Sequence, residues 1–384
     1  MELFDVYPLY DITPVKGDGC YVYDENGKEY LDLYGGHAVI SIGHAHPNFV
    51  KAIQTQVAQL GFYSNSIKNP LQNELAGKLE EISGIRDYAL FLCSSGAEAN
   101  ENALKVASFH TGQDRIIYFE NAFHGRTSGV VAVTDNDAIK APYNQRHQST
   151  RLAFNNIEAL ETEFKKGDVA AIIFEVIQGV GGLDEAESGF YRAAADLCRE
   201  YNVMLIADEV QSGYGRTGEF FAYQKHGIRP DIISMAKGMG NGFPVGGILI
   251  DRRITPRYGM LGTTFGGNHL ACAAAISVLD TIKEEHLIQN AAEVSQYIRA
   301  EAAKISEIKK VKGRGLMIGL EFDFEIAALR KELLFDFQIF TGASSNKKLL
   351  RILPPLTIEK QHFQIFFEAL KQALKNQKIS SEAS

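Results

Sequence analysis

Three stretches of the chain place polar side chains where their chemistry would be unusual. In IISMAKGMGNGFPVGG, residues 232–247, Lys237 follows an apolar run and precedes a glycine-dense loop. Apolar surroundings would depress its pKa and small neighbours would leave it room, which suits Schiff-base chemistry; taken alone, such a residue is more often a surface lysine. In VMLIADEVQSGYGRTG an apolar run delivers Asp208 and Glu209 to its carboxyl end. Open α/β sheets bind ligands at that edge, although an isolated Asp-Glu pair also fits a solvated strand end. In FLCSSGAEAN, residues 91–100, a strand runs through small residues into a helix. Ser95, Gly96 and Ala97 would there present free backbone N–H groups to a phosphate. The same residues fit a capped helix, with Ser95 as N-cap and Glu98 closing a capping box.

Together the three suggest one cofactor. Pyridoxal 5'-phosphate has an aldehyde that condenses with a lysine. Its pyridine nitrogen needs a carboxylate to stay protonated, and its phosphate needs N–H donors.

Elements able to position these groups are legible around them. From Tyr88 onward, short apolar runs (ALFLC, RIIYF, AAIIFEVI, VMLIADEV, DIISMA, GGILI) alternate with helix-period segments such as AEANENALKVASFH and FYRAAADLCREY. Strands apolar throughout and separated by helices predict an α/β domain with a mainly parallel sheet covered on both faces, residues 48–250. Amphipathic helices are expected over Pro47–Leu60 and Leu71–Ile82. Beyond the sheet, a long helical pattern runs from His269 to about Ile305. Strands follow at GLMIGLEF and LLRILPPLTI, then a closing helix from Glu359 to about Leu374 and a frayed polar tail, KISSEAS. This predicts a smaller α+β domain, residues 251–384, completed by an N-terminal segment, residues 1–47, whose YVYDENGKEYLDLYGG reads as a hairpin on an Asn26-Gly27 turn.

Composition narrows the class further. The 384 residues are 45% hydrophobic and 22% charged, with 39 Lys+Arg against 47 Asp+Glu and a net charge of −8, which argues against nucleic acid as partner. Cys20, Cys93, Cys198 and Cys272 are widely spaced and read as reduced core residues of a cytoplasmic protein. No signal-peptide pattern and no apolar run of membrane-spanning length is present, so neither secretion nor membrane insertion is expected. His44 and His46 lack Cys or carboxylate at ligand spacing, so they read as a turn before Pro47 and no metal is expected. The glycines of AKGMGNGFPVGG precede a strand, which excludes a dinucleotide fingerprint.

Over nearly its whole length the sequence resembles the class III, or ω-amino acid, aminotransferases, pyridoxal-phosphate enzymes of fold type I. The likeness rests on GHAHP (43–47), SSGAEANENALK (94–105), FHGRT (123–127), ADEVQSGYGRTG (207–218), SMAKGMGNGFPVGG (234–247), TTFGGN (263–268) and RILPPL (351–356) in this order. The resemblance implies that Lys237 forms the cofactor imine and then shuttles a proton. It implies that Asp208 pairs with the pyridine nitrogen, that Gln211 bonds the 3'-oxygen with support from Glu175, and that Phe123 stacks on the ring. Ser95, Gly96 and Ala97 would hold the phosphate, joined by Thr264 of a second subunit, so the active site would be shared in a homodimer. Arg126 and Arg351 would clamp carboxylates through guanidinium forks, and Tyr7 falls where a substrate-contacting tyrosine is expected. The likeness is strongest to the branch acting on N-acylated ornithines. The implied reaction moves the terminal amino group of N-acetylornithine or N-succinylornithine to 2-oxoglutarate in arginine metabolism. Ornithine and 4-aminobutyrate are alternative donors, and a cofactor-free binding protein on the same fold is the alternative of a different class. One departure stands out: most relatives have Q-G-E-G-G where this chain has Gln178-Gly-Val-Gly-Gly182. Val180 cannot shield Arg351 as that glutamate would, which leaves Arg351 open to carboxylates or screened by Asp184 or Glu185.

Overall fold

A computed structural model describes residues 1–382. Three short strands open the chain, β1 (Pro14–Asp18), β2 (Tyr21–Asp24) and β3 (Glu29–Asp32). A single turn α1 (Gly35–Ala38) leads to α2 (Pro47–Gln59) and α3 (Pro70–Ser83). The central region alternates: β4 (Tyr88–Cys93), α4 (Gly96–Thr111), β5 (Arg115–Phe119), α5 (Ser128–Ala132), β6 (Ser149–Leu152), α6 (Ile157–Phe164), β7 (Val169–Glu175), α7 (Ser188–Tyr201), β8 (Met204–Asp208), β9 (Ile232–Met235) and β10 (Gly246–Asp251). The remainder comprises α8 (His269–Glu284), α9 (Leu287–Ala302), β11 (Lys310–Arg314), β12 (Met317–Glu321), α10 (Ala327–Phe335), β13 (Ile339–Phe340), β14 (Leu349–Ile352) and α11 (Lys360–Glu382).

The main sheet has the order β4-β10-β9-β8-β7-β5-β6. Strands β9, β8, β7, β5 and β6 pair in parallel, and β10 runs antiparallel to both of its neighbours. Every residue of β5, β7, β8 and β9 is buried. Alternation along these strands explains why their sequences are apolar throughout. Ile116, Tyr118, Ile173, Met204, Ile206 and Ile232 pack into a cluster with α4, whereas Ile117, Phe119, Ile172, Leu205, Ala207 and Ile233 join the core that holds α7. Both faces are thus covered, as a parallel sheet requires. Edge strand β6, Ser-Thr-Arg-Leu, is polar and half-exposed and gave no apolar signal.

The predicted hairpin forms, β2 against β3, with Gly27 at φ 78°. It sits in a second sheet, β1-β2-β3-β13, where β13 lies parallel to β3 and ties the N-terminal segment to the C-terminal region. Strands β11, β12 and β14 form a third, antiparallel sheet. Two expectations are corrected. The long helix from His269 is two helices, because His286 adopts φ 54° between α8 and α9, and α8 packs on α2 and α3. The polar tail continues α11 through Glu382, and its last two residues lie outside the described residues.

Candidate active site

Neighbouring strands end in functional groups. Glu175 closes β7 and Asp208 closes β8, directly paired in register, and Asp208 is opposite Ser234 of β9. Lys237 follows β9 by two residues, and α4 begins at Gly96 just after β4. A cavity of about 350 Å³ collects these ends, lined by Ser95, Gly96, Ala97, Phe123, Arg126, Glu175, Asp208, Gln211 and Lys237. Strand C-termini converge here, as ligand sites in open α/β sheets do.

Asp208 is 3% exposed and fully engaged. Its Oδ2 accepts from Asn100 Nδ2 and lies against His124 Nδ1, both at 2.7 Å, and its Oδ1 accepts from Val210 N at 3.0 Å. Asn100 also donates to the His124 carbonyl at 2.8 Å, which locks the three side chains together. Neither Asn100 nor His124 was singled out in the sequence. Their only signal was adjacency, His124 within FHGRT and Asn100 one turn into α4.

Lys237 is held in the left-handed region at φ 44°, a strained conformation for a lysine. Burial pushes its amine below the usual lysine range, opposed by the charges of Asp208 and Glu175 and reinforced by Arg351. A lysine so placed gives up its proton more readily than a surface one. Glu175 accepts from Phe123 N and Gly179 N, each at 2.8 Å, while burial pushes its carboxyl upward. Glu209 points away from the cavity. Its carboxylate accepts from Ser212 Oγ at 2.6 Å, Ala222 N at 3.0 Å and Tyr223 N at 2.8 Å, and so fastens the loop after β8.

Both readings of the SSGAE stretch hold at once. Ser95 caps α4 by accepting from Glu98 N at 3.2 Å, and Glu98 reaches back to Ser94 N at 2.9 Å. As the first two helical residues, Gly96 and Ala97 keep N–H groups with no intrahelical acceptor. A side chain at 96 would meet Val210 Cγ1 at 2.7 Å, so the glycine allows this close approach.

Other predicted residues stand apart. Arg351 does not line the cavity. It is 3% exposed, with Nη1 donating to the Gly179 carbonyl at 2.5 Å and Nη2 to Tyr34 Oη at 3.2 Å. Thr264 is exposed on the loop before α8, and Tyr7 is 73% exposed in the N-terminal arm. Val180 lines the cavity, but the acids considered as its replacement are engaged elsewhere. Asp184 pairs with Lys312 at 2.8 Å, and Glu185 with His226 and Arg314, both at 2.9 Å. Neither therefore screens Arg351. His44 pairs with Asp32 at 2.8 Å, and His46 caps α2 and pairs with Glu285 at 3.0 Å. Among the described residues no group of ligating side chains could hold a metal.

The unmet bonding capacity of the cavity tests the cofactor. Gln211 Oε1 is buried with no hydrogen-bond partner among the described residues, beside the free N–H groups of Gly96 and Ala97, a buried amine and a buried carboxylate. Buried polar atoms are seldom left unpaired, and a planar heterocycle carrying a phosphate, a phenolic oxygen and a ring nitrogen offers a complement to each. Fold and site together define a pyridoxal-phosphate enzyme of fold type I.

The class-III aminotransferase family model matches residues 6–374, and the chain belongs to that family. It is 39% identical to the acetylornithine aminotransferase of Bacillus subtilis, covering 97% of each chain. It is also 39% identical to the acetylornithine aminotransferase of Methanocaldococcus jannaschii, covering 96% of this chain and 94% of that one. Among solved structures, the acetylornithine aminotransferase of Elizabethkingia anophelis superposes with a TM-score of 0.82 at 29% identity, over 96% of this chain and 95% of the other. The ornithine aminotransferase of Toxoplasma gondii superposes at 0.88 and 28%, over 97% and 92%. No described helix is long and apolar enough to cross a membrane.

Proposed function

We propose that the chain moves the terminal amino group of an N-acylated ornithine, N-acetylornithine foremost, to 2-oxoglutarate, giving the semialdehyde and glutamate. The observation carrying this reading is a buried lysine and a buried carboxylate facing one cavity, in a chain whose relatives over full length are named for acetylornithine.

Bound cofactor supplies the electron sink for breaking the bond to hydrogen at the amino-bearing carbon. Lys237 would take that proton and pass it to the cofactor's aldehyde-derived carbon and not back to the donor, a task suited to an amine whose affinity for protons burial has lowered. Asp208, kept in place by Asn100 and His124, holds negative charge toward the ring nitrogen. Gly96 and Ala97 would donate backbone N–H groups to the phosphate, with Ser95 beside them. Gln211 would orient the phenolic oxygen and Phe123 would offer its ring to the heterocycle, while Glu175 steadies Phe123 and Gly179 around the cavity. Arg126 and Arg351 bind substrate carboxylates.

In the same reading residues 48–250 form a large cofactor domain, and residues 1–47 with 251–384 a smaller one. Two chains pair in a cytoplasmic homodimer. Leu3, Phe4, Val6 and Leu9 of the N-terminal arm, and Phe62 and Phe265, whose rings pack on each other, are exposed in the single chain, a surface that favours a partner. Thr264 then reaches the phosphate of the partner's site, and Tyr7 reaches substrate. Light scattering at a single chain mass would overturn the dimer.

The test is a half-reaction screen on the cofactor-loaded protein, following its visible absorption. N-acetylornithine or N-succinylornithine should discharge the band fastest, and Lys237→Ala should lack the parent band. Faster reaction with ornithine or 4-aminobutyrate would overturn the donor assignment and leave the transaminase. Protein that takes up no cofactor would return the question to a binding function.

A further inference from the structure

Arg351 is buried with no acid bonded to it among the described residues, and feels Glu175 only through space. It makes no ion pair among the described residues, its bonds go to neutral oxygens, and its Nε has no partner. A buried guanidinium held this way retains charge for an incoming anion, since desolvation is only partly offset by neutral acceptors.

The hydroxyl it meets is itself held. Tyr34 Oη accepts from Arg351 Nη2 and lies 2.5 Å from His37 Nδ1, with the Tyr34 and His37 rings 4.7 Å apart. Having accepted from the guanidinium, the phenol has its proton free to donate. Burial and the charges of Arg351 and Lys237 favour the neutral imidazole of His37, and its tautomer with Nδ1 unprotonated accepts that proton. Arg351, Tyr34 and His37 thus form a directed chain in which each bond strengthens the next.

The backbone is shaped to make this contact. Gly35, Gly36, His37 and Ala38 have φ of 54°, 55°, 69° and 63°, a left-handed turn that includes two residues with side chains. Such residues resist that conformation, and strained positions persist where surrounding structure fixes them. Asp32 fixes this one, its Oδ1 accepting from Tyr34 N at 3.0 Å and Gly35 N at 2.8 Å. Gly342, bridged to Arg351 through the backbone, completes the fit: a Cβ there would lie 2.2 Å from the Tyr34 ring.

We propose that Tyr34 and His37 are positioning residues that aim Arg351 and keep it unneutralised for a substrate carboxylate, setting the affinity of this site for dicarboxylates. The proposal rests on the reading of Arg351 as a carboxylate receptor.

The probe is glutarate, a dicarboxylate with no group to transaminate, titrated calorimetrically into the cofactor-loaded protein. Tyr34→Phe and His37→Gly should each weaken glutarate by roughly tenfold, the scale of a hydrogen bond to a charged group. They should raise KM for 2-oxoglutarate by a similar factor, with a much smaller change in kcat. Glycine relieves the turn, so His37→Gly should melt no lower than the parent and its loss cannot be ascribed to unfolding. His37→Asn keeps an acceptor oxygen and tolerates the left-handed backbone, so it should recover most of the affinity. If Arg351→Met weakens glutarate while Tyr34→Phe and His37→Gly do not, or if His37→Asn binds as poorly as His37→Gly, the positioning role is wrong and the carboxylate reading stands. If Arg351→Met leaves glutarate binding unchanged, the carboxylate reading itself fails.

Discussion

Replacing Asp208 by asparagine separates charge from shape at the centre of the site. The parent carboxylate takes Asn100 Nδ2 and His124 Nδ1 on Oδ2 and Val210 N on Oδ1. Asparagine has one acceptor oxygen. If it keeps the bonds to Asn100 and His124, its amide faces the Val210 N–H and leaves a buried donor unpaired, which costs about 1–3 kcal/mol of stability. The larger effect is electrostatic. A neighbouring carboxylate shifts the pKa of a cationic partner by about 1–3 units, each unit about 1.4 kcal/mol, so losing the charge lowers the turnover rate by roughly tenfold to a thousandfold. The N–H groups of Gly96 and Ala97, proposed as the phosphate's donors, are untouched, so cofactor should remain bound. Single-turnover rates on the loaded variant, with cofactor content measured by absorbance after denaturation, give both quantities. A variant holding full cofactor and turning over within twofold of the parent would refute the charge-holding role of Asp208.

Three further outcomes follow from neighbouring contacts. A Cβ at Gly179 would lie 2.1 Å from Gln211 Oε1, so Gly179→Ala must displace Gln211 and should weaken cofactor retention by about tenfold in dialysis, the scale of one lost hydrogen bond to a charged partner; unchanged retention would remove Gln211 from the cofactor's contacts. Burial pushes Glu209 from 4.5 to about 7 despite its three donors, so folding takes up a proton between those values, and the stability Glu209 contributes is complete below 4.5 and lost as pH rises through 7. This amounts to about 3 kcal/mol, and Glu209→Gln should flatten urea midpoints across that window, whereas parallel pH profiles would contradict it. Val180→Glu puts an acid into the cavity wall near an Arg351 that makes no ion pair among the described residues, and should shift the ratio of ω-amino to α-amino donor rates several-fold; equal ratios would show that Arg351 is insensitive to this position.

Lys237, Asp208 and the SSGAE turn were legible because each sits where an apolar strand stops, and a strand end in a parallel sheet is fixed by its own run of buried residues. The same logic made β5, β7, β8 and β9 readable, since each alternates between two cores and must be apolar on both faces. What escaped was set by partners distant in sequence. Strands β6 and β11 are polar edges whose pairing their own residues do not announce. The break between α8 and α9 falls at a histidine in a left-handed conformation, with neither glycine nor proline to mark it. Asn100 and His124 matter only because helix α4 and the loop after β5 bring them to one oxygen of Asp208. Tyr34 and His37 reach Arg351 across more than three hundred residues, through a turn whose handedness is enforced by Asp32 and by the missing side chain of Gly342. Cofactor chemistry can be read from single stretches because each contact is local to one strand end. The surroundings of Arg351 are assembled between the N- and C-terminal segments, and so become visible only when the chain is folded.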